Sequence, residues 1–178
     1  LQARDVKGTT NAGQPLFAEI GEPTGFEMSS WIEFPEKELF IERGTTKHVL
    51  VEILIPENAT PGGHFAGVFF TREAVQPEKS GAGIGFGVGS VFTFRVSGDI
   101  REEASLRSFY TEKVVYQKAE VNFLARVENE GNVLIRPRGL IEIWDMFGNE
   151  VTKVPVNERE GAVFPGGNRV FKETWKNQ

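Results

Sequence analysis

The stretch that decides the fold spans residues 48–71 and reads HVLVEILI, then PENATPGG, then HFAGVFFT. Its first part alternates apolar and other side chains, which predicts a strand over residues 48–55. The core face of that strand would carry Val49, Val51, Ile53 and Ile55. The prolines and paired glycines of the second part predict a turn. The third part is apolar on both faces, which predicts a central strand that is covered on both sides.

A glycine run follows at residues 81–89, where every second residue is glycine. On a strand this spacing places all the glycines on one face, and that bare face lets another chain segment approach closely. A dinucleotide site or a P-loop would need a different glycine spacing and a helix after it, and the P-loop would also need a Lys. The run therefore predicts a structural strand that continues through residues 91–96.

A second set of strand patterns begins after residues 97–101, which predicts a domain boundary there. The alternating runs cover 121–127, 133–136, 140–144 and 169–171. No convincing amphipathic helix interrupts either set, so the sequence predicts an all-β protein. We expect two tandem immunoglobulin-like β-sandwich domains at residues 1–99 and 100–178.

Two parts of this organisation look incomplete. The second domain shows about five strands where an immunoglobulin-like sandwich needs about seven, so we expect it to be truncated at its C-terminal end. Residues 1–28 read as Gly- and Thr-rich loop with one short strand at Leu16 to Ile20. The opening strands of the first domain are therefore expected to be missing.

Composition excludes several functions. The net charge of −5 and the scattered basic residues argue against nucleic-acid binding. The chain has no Cys, which excludes thiolate metal sites, thiol nucleophiles and disulfides. It has no apolar run of about 20 residues, so no transmembrane helix is predicted. A leader removed before Leu1 and a membrane anchor beyond Gln178 both stay open.

No catalytic constellation is recognisable. His48 and His64 are the only histidines, and they lack the HExxH spacing of a zinc site. Both begin predicted strands, so we expect them to be exposed or at a rim. There is no Gly-x-Ser-x-Gly elbow, and the carboxylates near Phe34 and Pro35 read as a solvated rim. We therefore predict a protein that is not an enzyme, with no catalytic residue, no metal site and no cofactor.

Exposed aromatic rings are the remaining candidates for binding, because they stack on sugars and on peptides. The three tryptophans are Trp31, Trp144 and Trp175. Alternation places Trp144 on the face opposite Ile141 and Ile143. The competing interpretation is that each ring fills a sandwich end or the domain junction.

Residues 28 to 100 resemble the first domain of bacterial surface proteins of the WxL-interacting type and, more distantly, the N-terminal domain of periplasmic pilus chaperones. The segments that carry the resemblance include Ser29-Ser30-Trp31-Ile32 and, most specifically, Pro-Glu-Asn-Ala-Thr-Pro-Gly-Gly at 56–63. The second half, through residues 127–133 and 141–148, resembles the immunoglobulin-like domain that follows in such exported proteins.

The resemblance implies an extracytoplasmic protein of the cell envelope or cell surface, secreted by a bacterium, that binds a wall polymer or another envelope protein. We expect a structural or adhesive module. Two alternatives stay open: a carbohydrate- or peptidoglycan-binding module, and a chaperone-like strand acceptor. An exposed sheet edge would also permit a strand-exchange homodimer. The paired Arg and Lys with which pilus chaperones anchor their client have no match in this sequence.

Overall fold

The computed structural model describes residues 1–72, 86–117 and 120–176, and within them the protein is all-β. No α-helix occurs in these ranges, and one 3-10 turn covers Ser29–Trp31. The prediction of an all-β protein is therefore confirmed. The strands are β1 (Gln2–Thr9), β2 (Pro15–Phe17), β3 (Ile32–Glu33), β4 (Glu52–Ile53), β5 (Gly62–Arg72), β6 (Phe86–Val96), β7 (Ala104–Thr111), β8 (Glu120–Asn129), β9 (Gly139–Trp144), β10 (Glu150–Val156) and β11 (Asn168–Lys176).

The chain divides into two compact units. The first contains Leu1–Lys7 and Phe17–Gly98, and the second contains Gly8–Leu16 and Asp99–Gln178. After Gly98 the chain leaves the first unit and stays in the second from Asp99 onward. This point lies within residues 97–101, where the second set of strand patterns begins. Residues 8–16, which the sequence assigns to the first domain, belong to the second unit, where the backbone N–H of Val170 donates to the carbonyl of Asn11.

The sheet of the first unit consists of strands β1, β5 and β6, which pair antiparallel in that order. One face of this sheet packs against the segment that contains the 3-10 turn and the short β3–β4 pair. The buried cluster between them consists of Met28, Trp31, Ile32, Ala66 and Val68. Strand β5 lies between β1 and β6 with most of its residues buried, so the prediction of a central, covered strand is confirmed.

The strand predicted at residues 48–55 is much shorter than expected. Only Glu52–Ile53 pairs, with Ile32–Glu33 as its partner. A strand ends where its ladder partner ends, and the partner here has only two residues. Val51 and Ile53 do pack on the core, whereas Ile55 is exposed. The alternation thus identified part of the correct face but overestimated the length.

The opening residues form a full strand, so the expectation of a loop over residues 1–28 is wrong. Strand β1 pairs antiparallel with β5, with Gln2 opposite Phe69 and Asp5 opposite Ala66. The Asp5 carboxylate accepts hydrogen bonds from the backbone N–H groups of Met28 and Ser29 and from the Ser29 hydroxyl. These bonds fix the approach to the buried Trp31. The short strand expected at residues 16–20 is found as β2, at Pro15–Phe17.

The glycine face of β6 is in close contact, as the alternation predicted. A Cβ on Gly89 would lie 2.5 Å from a ring carbon of Phe69 and 2.7 Å from the carbonyl oxygen of Val68. The Phe69 ring therefore occupies the space that a side chain at position 89 would need. Phe69 also meets Phe17 edge to face, with ring centroids 4.7 Å apart. Residues 81–85 of the glycine run lie outside the described residues.

The second unit holds two facing sheets, a three-stranded one in the order β11-β8-β7 and a two-stranded one in the order β10-β9. The predicted runs at 121–127, 140–144 and 169–171 all lie in strands, whereas 133–136 makes only an isolated bridge between Ile135 and Val163. The buried apolar residues of the second unit are Ala125, Val133, Ile141, Val163, Phe164 and Phe171. Buried Asn129 donates to the carbonyls of Val133 and Val163, which ties the loops to β8.

Candidate functional site

The outward face of the β9–β10 hairpin carries the most exposed tryptophan of the chain. Ile141 is buried and Ile143 half-buried on the inner side, whereas the Trp144 side chain is 54% exposed. This is the arrangement that two-residue alternation predicts. Trp144 lies opposite Glu150 in the hairpin register, and Val151 is also exposed. The exposed position that alternation predicts for Trp144 is therefore observed, and its role in binding stays a prediction.

The turn that joins the two strands displays two further apolar side chains. Met146 is 92% exposed and Phe147 is 82% exposed. We call Trp144, Met146, Phe147 and Val151 together the hairpin surface. The sequence analysis missed Met146 and Phe147. The signal available was the position of Phe147 directly before Gly148-Asn149, since Gly and Asn are typical of turns and turns lie at the surface.

Asp145 holds this turn in one conformation. One of its carboxylate oxygens accepts from the backbone N–H groups of Phe147 and Asn149, each at 2.8 Å, and the other accepts from the Asn149 side-chain amide at 2.9 Å. The Asn149 side chain and then its backbone N–H stabilise the ionised form and lower the pKa of Asp145. The turn is thus preorganised, and the exposure of Met146 and Phe147 is a fixed feature of it.

Charged groups lie between the strands of the same hairpin. The Lys153 ammonium is 3.0 Å from the carboxylate of Glu142 and 3.2 Å from that of Glu150. Hydrogen bonds to Glu142 and then to Glu150 raise the pKa of Lys153. With Asp145, the hairpin carries three carboxylates and one ammonium, so it repels anionic surfaces and favours a neutral or basic partner.

An apolar cleft of about 470 Å³ opens between the two sheets of the second unit. The strands that flank the cleft are β7 and β9, and each is an edge strand with one side unpaired among the described strands. Leu106 faces the inside of the sandwich, in register with Val127, yet it is 61% exposed. Phe109 stacks on Phe123 with ring centroids 5.9 Å apart and is also exposed. The residues that line the cleft are Ala104, Ser105, Leu106, Phe109, Ala125, Val127, Pro137, Arg138, Gly139, Leu140, Ile141, Glu142 and Val156.

One buried polar atom accompanies this cleft. The Ser105 hydroxyl oxygen is inaccessible to solvent and has no hydrogen-bond partner within the described ranges. Such groups are uncommon in folded proteins because an unmade hydrogen bond costs about 1–3 kcal/mol. The two charged residues of the cleft, Arg138 and Glu142, are paired with Glu160 and Lys153 respectively. The cleft is therefore apolar and close to electrically neutral.

The structure places the other two predicted tryptophans differently. Trp31 is only 8% exposed and lies against the His64 ring, with centroids 4.3 Å apart. His64 is buried too, and its ring nitrogens contact the carbonyls of Glu27 and Thr60. The expectation of an exposed or rim position is wrong for His64 and correct for His48. Trp175 is half-buried on β11, opposite Val121. Trp175 and Trp144 lie in different sheets of the second unit.

No metal site or membrane helix is found in the described part of the chain. No three His, Asp or Glu side chains there are grouped so as to hold a metal ion. None of the helical segments within it has the length and hydropathy that crossing a bilayer requires. A second, polar cleft of about 530 Å³ is lined by residues including Glu112 and Asn122. Lys172 and then Asn122 bind Glu112 and lower its pKa, so these groups already satisfy one another.

In comparisons with known proteins, no family model, no curated protein and no solved structure matches this chain. The fold and the site therefore define its class on their own. It is an all-β protein with two compact units, and its second unit displays a preorganised apolar hairpin and an open apolar cleft.

Proposed function

We propose that this chain is a non-catalytic module of the bacterial cell envelope, and that the hairpin surface of its second unit binds another surface protein. The observation that carries the proposal is the Asp145 turn, which fixes Met146 and Phe147 in solvent beside Trp144. Large apolar side chains that are clustered, exposed and rigid are typical of binding hot spots, because their burial releases free energy at little entropic cost.

The envelope location rests on the resemblance of residues 28–100 to WxL-interacting surface proteins. The non-catalytic assignment rests on the sequence, which lacks a nucleophile–base pair in a recognised spacing. A protein partner is favoured over an anionic polymer because the hairpin carries more carboxylates than cations. Repulsion of like charge would weaken binding to a polyanionic wall component.

A carbohydrate ligand is the second candidate, and one observation favours it. The exposed ring of Trp144 lies on the same hairpin as the ion pair of Glu142 with Lys153. A flat ring flanked by polar groups can stack on a sugar face while those groups bind its hydroxyls. Titration with soluble peptidoglycan fragments, followed by Trp144 fluorescence, tests this candidate.

Binding to isolated bacterial cell walls tests the main proposal. The double substitution Met146→Ser and Phe147→Ser removes the tip of the hairpin surface. We expect it to weaken retention by protein-bearing walls on the order of tenfold or more, since a hot-spot truncation costs at least about 2 kcal/mol. Walls stripped of their proteins should retain neither form.

The chain offers a matched control. Val114 and Val115 are also adjacent, apolar and exposed in the second unit. Replacing both with Ser removes comparable apolar surface from another place, and we expect retention to stay unchanged. Equal loss in the two double variants would show that the hairpin surface is not the specific site. Undiminished retention of the hairpin variant would contradict the proposal outright.

A further inference from the structure

The open side of the second unit lacks the cover that a sandwich core needs. The two-stranded sheet β10-β9 faces a three-stranded sheet, and the strand left without cover is β7. Leu106 and Phe109 point inward from β7 and yet are about as exposed as surface residues. We propose that two copies of this chain join through these open sides, each supplying the cover that the other lacks.

The free edge of β9 determines which strands pair across this contact. β9 has β10 on one side and no described strand on the other. An antiparallel pairing of β9 with β9 of a second copy satisfies the free backbone groups of both. The two-stranded sheets then join into one sheet that extends over the inner faces of both β7 strands. Leu106 and Phe109 become buried beneath it, and the symmetry closes after two copies.

Charge supports self-pairing of β9. Arg138 precedes the strand and Asp145 follows it. When Gly139–Trp144 pairs with its own copy over its full length, antiparallel geometry places Arg138 of one copy opposite Asp145 of the other, and this occurs twice. The ion pair of Arg138 with Glu160 is largely exposed, so Arg138 can reorient toward Asp145 at little cost.

The interior of the cleft fits the same occupant. Its apolar lining and paired charges suit apolar residues of a strand edge and would reject a charged segment.

Sedimentation velocity of the full chain over a dilution series tests the proposal. We expect a reversible monomer–dimer equilibrium. Leu106→Lys would place an uncompensated charge in each half of the contact, and it should weaken the dimer on the order of a hundredfold or more. Arg138→Glu, which opposes Asp145 with a like charge, should weaken it on the order of tenfold.

Two matched controls keep the result specific. Tyr110→Lys adds the same charge to the same strand at a similarly exposed residue on the opposite face, and Arg43→Glu makes the same charge change at an exposed residue of the first unit that does not line the cleft. Both should leave the dimer intact, and circular dichroism should show the parent β spectrum for every variant. A monomer at all concentrations, an open-ended series of larger species, or a dimer indifferent to Leu106→Lys would overturn the proposal. Because Met146 and Phe147 lie beyond the paired residues Gly139–Trp144, their Ser variants should still dimerise.

Discussion

Trp31 and Trp144 are both candidates for binding in the sequence, but the structure buries the first and exposes the second. Both lie in apolar segments of similar composition, but Trp31 packs against buried Ala66 and Val68, whereas Trp144 faces solvent. The two rings differ in exposure because a second layer of the fold covers only Trp31. The sheet of the first unit covers Trp31 through β5, while the two-stranded sheet that carries Trp144 is covered on its inner face alone. A tryptophan becomes a candidate for binding when its own sheet has no layer above it.

The largest expected effect separates the two rings by stability. Trp31→Ala removes a buried ring from the core and should lower the free energy of unfolding by about 3–5 kcal/mol. Trp144→Ala removes an exposed ring and should change it by no more than about 0.5 kcal/mol. Urea unfolding followed by circular dichroism measures both. Similar losses in the two variants would erase the distinction on which the comparison depends.

A backbone contact in the second unit gives the next largest effect. A Cβ on Gly131 would lie 2.1 Å from the carbonyl oxygen of Arg101 and 2.9 Å from the nitrogen of Glu103. Backbone atoms cannot rotate away, so Gly131→Ala should cost about 1–3 kcal/mol in urea unfolding. Gly139→Ala is the control, since no atom lies within 4 Å of its Cβ position. A Gly131→Ala variant as stable as the control would mean that this loop packs loosely.

Acid should loosen the turn beside Trp144. The pKa of Asp145 is lowered in the folded state, so its ionised form stabilises the turn at pH values above the unfolded pKa of about 3.9. That contribution is lost as the pH falls through the lower folded value. We expect an NMR titration of the Asp145 carboxyl to have its midpoint below the ordinary value, with the amides of Phe147 and Asn149 shifting together. A midpoint at or above the ordinary value would show that the turn is not fixed by these bonds.

The smallest expected effect concerns the hairpin tip. Met146→Ser and Phe147→Ser should each change the free energy of unfolding by less than about 0.5 kcal/mol, because the side chains contribute little to the core. Urea unfolding of the single variants checks this. A loss of 1 kcal/mol or more, on the order of a buried contact, would assign these residues a structural role in place of binding.

Sequence patterns predicted most strands whose apolar residues alternate. They missed β1 and β7, which lack a regular alternation. β1 has few large apolar residues and forms because the edge of β5 accepts it. β7 carries Leu106 and Phe109 three positions apart, and a bulge between Leu106 and Ser108 restores both to one face. A regular alternation search cannot detect a strand whose spacing is interrupted in this way.

The same reasoning explains what could be predicted of the site. Alternation alone placed Trp144 on the face of β9 that is opposite the face of Ile141. The cleft could be anticipated only as a shortage of strands, since the sequence does not show which edge stays uncovered. Burial of Trp31 depends on the 3-10 turn and on Asp5, which lies far from it in sequence. Such contacts between distant residues leave no local pattern.

Acrylamide quenching of single-tryptophan variants tests the central claim, that Trp144 lies on an uncovered surface of the second unit whereas Trp31 lies in the core of the first. One variant keeps Trp31 and the other keeps Trp144, with the remaining tryptophans replaced by Phe. We predict weak quenching and blue-shifted emission for Trp31, and strong quenching with red-shifted emission for Trp144. Equal quenching of the two rings, or stronger quenching of Trp31, would contradict the account.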